Sequence, residues 1–169
     1  MWMAPVAVLA LGGCVAAAER VTMDPSRLVL RSDVALACTF RVTSVEDARP
    51  EGDKAGWLGK HQFTFDDAPA VVRRGLAESG FGIDGDAPGE PVHLRILRLY
   101  LAQNQVTKIP VAVYEVRLGD APPFLVRSQQ ADMNWNGSQD EAYEGYTRAV
   151  RGANTALVER LNAECPPGS

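Results

Sequence analysis

The chain has 169 residues, a formal net charge of −4, and 46% hydrophobic against 22% charged residues. Such a composition is typical of a folded protein and unlike that of a disordered or collagen-like chain, and the length suits a single domain. A nucleic-acid-binding surface needs clustered Lys and Arg to neutralise phosphates, so an acidic chain without such clusters argues against nucleic acid as a partner.

The N-terminus has the pattern of an export signal that ends at a cysteine. Residues 4–11 are apolar but fewer than the roughly 20 that a membrane span needs, and small residues follow them. The run Leu11-Gly12-Gly13-Cys14 resembles the lipobox of bacterial lipoproteins, in which the cysteine thiol accepts a diacylglyceryl group before cleavage. We therefore expect a signal peptide over residues 1–13 and three acyl chains on Cys14, enough for a stable membrane anchor.

Two further features of the N-terminus concern export and the choice of membrane. No Lys or Arg precedes Arg20, although signal peptides usually begin with a positive segment, and the alternative is a cytosolic protein with an apolar N-terminus. Val15 follows the cysteine at the position where an Asp favours the inner membrane in lipoproteins of the enteric type. The sequence thus favours the periplasmic face of the outer membrane and leaves the inner membrane open.

With Cys14 assigned to lipid, two cysteines remain, Cys38 and Cys165. Cysteine pairs in an oxidising compartment usually join, so we expect a disulfide between them. The alternative is a buried free thiol at Cys38 and an unpaired Cys165. No metal site is expected, because two thiols lack the remaining ligands and neither His61 nor His93 has a ligand-like spacing.

The first half of the mature chain alternates between irregular and strand-like patterns. Residues 14–33 contain the lipidated cysteine and then lack periodicity, which predicts a tether between membrane and domain. Apolar and polar residues alternate over 34–43 and predict a half-buried strand with Cys38 facing the core. Pro50 and three glycines interrupt residues 46–60, which predicts a long loop.

The second half has clearer signals. Asp67 and Pro69 are typical of a helix start, and an apolar stripe predicts a helix over 68–79. Strand-like stretches follow at 92–103, 110–118 and 124–133 and predict an antiparallel meander. A capping box at Ser138 and an apolar stripe predict a long amphipathic helix ending near Glu164.

These elements predict an α+β fold of order β-α-β-β-β-α. We expect a two-layer sandwich, with a mostly antiparallel sheet of about four strands and two helices on one face. A single periplasmic domain is expected over residues 34–165, with a C-terminal tail at 166–169.

The order of motifs resembles that of a known family. It comprises a lipobox, a strand running into Asp47-Ala48-Arg49-Pro50, the pair Leu58-Gly59, a helix, a three-stranded meander and a C-terminal helix. In these features the chain is similar to the YajG-like bacterial outer-membrane lipoproteins. The resemblance implies a periplasmic α+β domain, and it brings no catalytic residues. The two remaining cysteines are not part of the family pattern.

Four residues are candidates for binding a partner. Asp47 and Arg49 fall in the expected loop, where the planar Arg fork suits a phosphate or carboxylate, although Asp in such a place often binds its own turn. Trp57 and Trp135 fall in or beside expected turns and are candidate anchors for a glycan or protein, although large aromatics often fold back over the core.

No catalytic constellation is present in the sequence. Ser128 and the two histidines lack the Gly-x-Ser-x-Gly elbow of a hydrolase, and no cofactor motif occurs. The sequence therefore favours a non-enzymatic lipid-anchored lipoprotein that binds another envelope component, either protein or glycan. The alternatives are an accessory subunit of a lipid or lipopolysaccharide transport complex and a cell-wall-active enzyme, which would need a carboxylate pair or metal site.

Overall fold

The computed structural model describes residues 18–83 and 85–166; the expected signal peptide, Cys14 and the residues after Pro166 lie outside this part. Within it, two helices and a short 3-10 helix (Pro25–Arg27) accompany a sheet of eight strands. The strands are β1 (Glu19–Thr22), β2 (Phe40–Asp47), β3 (Lys54–Leu58), β4 (His61–Thr64), β5 (Glu90–Gln103), β6 (Thr107–Leu118), β7 (Phe124–Gln129) and β8 (Asp132–Met133). The helices are α1 (Ala68–Glu78) and α2 (Gln139–Asn162).

The sheet is mixed, with the strand order β1-β4-β3-β5-β6-β7. Along one edge of β5, its first half pairs in parallel with β2, and Leu101 near its end pairs in parallel with β3. The short strand β8 pairs with the start of β6. The β5-β6-β7 meander is antiparallel, as are β3 and β4, whereas β1 runs parallel to β4. The expected α+β class with two helices is confirmed, but the expected sheet of about four mostly antiparallel strands is wrong.

The long strand β5 keeps one apolar face over its whole length because its register shifts once. A bulge between Ile96 and Arg98 inserts one residue, so that the core-facing series changes from even to odd positions. The buried residues of this face are Val92, Leu94, Ile96, Leu99 and Leu101. Without the bulge, the second half of the strand would turn its apolar residues to solvent.

Both helices contact β5 and one another, and so cover the same face of the sheet. Helix α2 has the expected capping box, in which Ser138 accepts from the Glu141 amide and the Glu141 side chain binds back. The Tyr146 hydroxyl donates to the Ala55 carbonyl at 2.6 Å and fixes α2 over β3. Helix α1 approaches α2 so closely that a Cβ on Gly75 would lie 2.6 Å from the Asn154 side-chain nitrogen.

The domain begins earlier than the expected boundary at residue 34. Glu19–Thr22 forms an edge strand beside β4, and Leu28 and Leu30 are buried in the core. The described part of the expected tether over 14–33 is therefore packed on the domain. The apolar residues of this segment are irregularly spaced because each one packs into the core separately, and not as part of one face of a helix or strand.

Two further expectations are corrected. The expected strand at 34–43 begins only at Phe40 and continues to Asp47, because the Asn162 side chain binds the backbone before it: Ala37 N donates to Oδ1 at 2.8 Å, and Nδ2 donates to the Ala35 carbonyl at 2.9 Å. The expected loop at 46–60 contains β3 and the turn into β4. A Cβ on Gly56 would lie 2.1 Å from the Leu101 carbonyl, so this glycine lets β3 approach β5.

Candidate functional site

A disulfide joins Cys38 to Cys165, as expected for two cysteines in an oxidising compartment. The two Cα atoms lie 6.1 Å apart across 127 residues of sequence. Cys38 lies just before β2 and Cys165 just after α2, so the bond ties the end of the last helix to the entry of the first long strand. Both residues are partly buried against the hydrophobic core.

The disulfide is one of several ties on residues 31–39, which we call the strap. Ser32 N donates to the Ser79 hydroxyl of α1's C-cap at 2.8 Å, and Asp33 N donates to the Thr155 hydroxyl of α2 at 3.0 Å. The Asn162 side chain holds the strap further along. Polar side chains of both helices thus satisfy backbone groups of the segment that precedes β2.

A cleft of about 740 Å³ lies between the strap and the C-terminal end of α1. Its volume is within the roughly 300–1,000 Å³ that is usual for binding sites. Arg31 and Glu78 are the charged lining residues, and no aromatic side chain is among the lining residues. The lining residues are Arg31, Val34, Ala35, Leu36, Ala37, Cys38, Thr39, Glu78, Ser79, Gly80 and Pro166.

None of the four sequence candidates lines this cleft. The signal that could have found it is the alternation over 34–39, which the sequence presents as a strand. Val34, Leu36 and Cys38 are partly buried against the core, whereas the residues between them are exposed. A half-buried segment without a strand partner provides one wall of a cleft.

Asp47 and Arg49 form an ion pair with each other. Arg49 donates from Nε and Nη2 to the two carboxylate oxygens at 2.8 and 2.7 Å. The hydrogen bonds from the Arg49 side chain are the main reason why the pKa of Asp47 is lowered, and burial opposes them. Only 1% of the Arg49 side chain is exposed, which corrects its candidacy for contact with a partner. The pair stabilises the turn of the chain that follows β2.

The two candidate tryptophans lie away from the cleft. Trp57 stands opposite Gln62 in the β3-β4 hairpin and is 37% exposed. Trp135 follows β8 and is 76% exposed, the most of any large hydrophobic side chain among the described residues. Of the four candidates, the structure brings together Asp47 and Arg49, as an ion pair.

The loop that carries Trp135 is organised by the buried carboxylate of Glu141, for which the capping box is the one signal in the sequence. Glu141 accepts from Trp135 N at 2.9 Å, from Ser138 N at 3.2 Å and from the Lys108 ammonium at 3.1 Å. Burial acts to raise the pKa of Glu141, but these hydrogen bonds and one from Asn136 outweigh it and bring the pKa to about 2. Lys108 is 2% exposed and also donates to the Met133 carbonyl at 2.7 Å.

The histidines stand in separate surroundings. His93 lies 3.2 Å from the Ser44 hydroxyl and 3.0 Å from that of Thr43, and His61 lies 3.3 Å from the Glu19 carboxylate. The side-chain contacts of His93 are with the Thr43 and Ser44 hydroxyls and include no carboxylate within residues 18–83 and 85–166, so they do not complete a serine, histidine and acid triad there. In the same residues no three His, Cys, Asp or Glu side chains are grouped to hold a metal.

No family model matches this sequence, and no curated protein matches it either. Several solved structures are similar in fold. A Xanthomonas campestris protein of the DUF330 family is 12% identical, with a TM-score of 0.48 over 88% of this chain and 100% of that one. Rare lipoprotein B from Shewanella oneidensis is 14% identical, with a TM-score of 0.43 over 73% and 96% of the two chains.

A minor lipoprotein from Acinetobacter baumannii is 10% identical, with a TM-score of 0.37 over 71% of this chain and 92% of that chain. At such identities the likeness concerns the fold alone. The resemblance to the YajG-like lipoproteins stays a prediction, because no family model or curated relative carries it. Neither helix in the described part of the chain combines the length and hydrophobicity that crossing a membrane requires.

Proposed function

We propose that this protein is a non-enzymatic bacterial lipoprotein, anchored by acyl chains on Cys14, whose domain binds another component of the cell envelope. The observation that carries the proposal is the disulfide between Cys38 and Cys165. Structural disulfides persist in oxidising compartments such as the periplasm. The bond uses two of the three cysteines and leaves Cys14, at the end of the lipobox-like run, for the lipid.

The cleft beside the strap is the binding site in this proposal. Its lining is aliphatic, with the charges of Arg31 and Glu78 and without an aromatic platform, which favours an apolar protein segment over a glycan. The disulfide and the hydrogen bonds to both helices hold the strap in place, so a partner need not order it on binding. We place the anchor in the outer membrane, because Val15 rather than Asp follows Cys14.

The anchor is tested by replacing Cys14 with serine. Labelled palmitate fed to cells should be incorporated into the wild-type protein and not into Cys14→Ser, and the variant should leave the membrane fraction. Cys38→Ser is the matched control, because it removes a cysteine that the proposal assigns to the disulfide. Equal labelling of wild type and Cys14→Ser would refute the anchor.

The cleft is tested with a photoreactive amino acid at Ala35 in intact cells. Ala35 is an exposed member of the cleft lining, and Glu159, exposed on α2, serves as the control position. A protein adduct is expected at Ala35 and not at Glu159. A lipid adduct at Ala35 would instead favour the transport-complex alternative, and identical patterns from both positions would reject the cleft as the binding site.

A further inference from the structure

One end of the domain, which we call the tip, gathers three turns of the chain. It consists of residues 59–60, 103–107 and 133–138. Gly59 N donates to the Gln103 side-chain oxygen at 2.8 Å, and Asn134 N donates to the Val106 carbonyl at 2.9 Å. A Cβ on Gly59 would lie 2.8 Å from the Gly137 carbonyl. These contacts make the three turns one continuous surface.

Large apolar side chains project from the tip into solvent. Val106 is 67% exposed, Met133 is 55% exposed and Trp135 is 76% exposed. Met133 pairs with Thr107, the residue after Val106, and Trp135 is two residues further along, so the three side chains are carried by adjoining backbone. Clustered apolar residues of this size at one end of a domain mark a surface that contacts a partner or a membrane.

The backbone beneath these side chains is held in place, and the charges beside them are paired. Glu141 accepts a hydrogen bond from Trp135 N, which positions the loop before any contact is made. Asp132 lies 2.6 Å from the Arg148 guanidinium, and Lys60 lies 3.3 Å from the Glu19 carboxylate. The apolar surface is therefore flanked by neutralised pairs, which lowers the cost of bringing it to an apolar medium.

The chain enters the domain at this same end. Strand β1 begins at Glu19, whose N–H donates to the Lys60 carbonyl in the tip at 3.0 Å. Only five Cα-to-Cα steps separate Cys14 from Glu19. Even a fully extended chain of that length spans about 17 Å, so an anchor at Cys14 would keep the tip next to the bilayer surface.

We propose that the tip rests on the bilayer that holds the anchor, with Trp135, Val106 and Met133 inserted at the membrane interface. The inference depends on the lipidation of Cys14 proposed above. Tryptophan suits this position because one side of the indole is apolar and its N–H can remain hydrated. The cleft is lined by the segment before β2 and by the end of α1, at the opposite end of β5 from the tip, and thus faces away from the membrane.

The test uses lipidated protein purified from cell membranes and reconstituted into phosphatidylcholine vesicles, with or without bromine on the acyl chains near the headgroup. Mature protein retains two tryptophans, so Trp57→Phe leaves Trp135 as the reporter. We expect brominated lipid to reduce the Trp135 fluorescence at least twofold. The control is Trp57→Phe/Trp135→Phe/Glu159→Trp, whose single tryptophan lies near the distal end of α2 and should keep its intensity.

Flotation of the vesicles separates the two proposals. Protein that does not float with the vesicles would overturn the anchor on Cys14. Protein that floats while Trp135 and the Glu159→Trp reporter are equally insensitive to bromine would leave the anchor standing and overturn the membrane contact of the tip. Quenching of Trp135 alone supports the contact.

Discussion

Replacing Cys38 and Cys165 together with serine should lower the free energy of unfolding by roughly 3–5 kcal/mol. The disulfide closes a loop across 127 residues, and the loss of chain entropy in the unfolded state for such a loop is worth about 5 kcal/mol. Residual structure in the unfolded chain lowers the observed value. The effect is large because the loop closed by this bond contains most of the domain's sequence.

The measurement is urea unfolding of protein that carries Cys14→Ser, so that the lipid does not interfere. Wild-type disulfide protein in reductant should unfold at the same urea concentration as the double-serine variant. Ala37→Ser, an exposed change in the same strap, is the matched control and should shift the free energy by less than about 0.5 kcal/mol. A reductant-insensitive midpoint would contradict the prediction.

Loss of the disulfide also has a consequence for the cleft. The backbone N–H groups of the strap would still donate to the side-chain oxygens of Ser79, Thr155 and Asn162, but the C-terminal end of the strap would no longer be held covalently. A partner would then bear the cost of ordering the strap, which reduces affinity. Cross-linking through Ala35 should therefore decrease in the double-serine variant, even under conditions in which that variant is still folded.

The elements with local signals could be predicted from the sequence. The expected helix at 68–79 matches α1, because Asp67 caps it and Pro69 occupies its first turn. The capping box at Ser138 fixes the start of α2 equally well. The strands of the meander are found close to their expected positions, since their apolar alternation lies within one strand.

The elements that depend on distant residues could not be predicted. Strand β3 exists because Gly56 allows close approach to Leu101, 45 positions further along, and nothing near Gly56 signals that contact. In the strap, the alternation predicts a strand, but Asn162 takes the place of a neighbouring strand. Local pattern identifies which residues are half-buried and not what they pack against.

The candidate site shows the same limit. Exposure of Trp135 agrees with its position beside a turn, whereas Arg49, also in an expected loop, is buried by its bidentate pair with Asp47. The cleft arises only when the strap, the end of α1 and Pro166 meet, and no single segment encodes it. The burial of Lys108 could not be predicted from the sequence, because a lysine at the start of a strand is ordinarily exposed.

Truncating Glu141 to alanine should lower the free energy of unfolding by about 3–5 kcal/mol, because a buried ammonium would lose its carboxylate partner. Lys108 is 2% exposed, and its nearest carboxylate after Glu141 is that of Asp132 at 3.9 Å. The backbone N–H groups of Trp135 and Ser138 would also lose their acceptor. Asp140→Asn is the matched control, since Asp140 is in the same helical turn but 82% exposed, and should cost less than about 1 kcal/mol.

The pH dependence of stability distinguishes this role of Glu141 from simple packing. Its pKa is about 2 in the folded protein, below the ordinary value of 4.5, so the carboxylate stabilises the fold above pH 4.5. This contribution should decrease as the pH falls from 4.5 to about 2, and Glu141→Ala should lack it.

Combining Glu141→Gln with Lys108→Met should be less destabilising than the sum of the single changes, because no charge is then left unpaired. Additive losses, or parallel pH profiles of wild type and Glu141→Ala, would show that the ion pair does not hold the Trp135 loop.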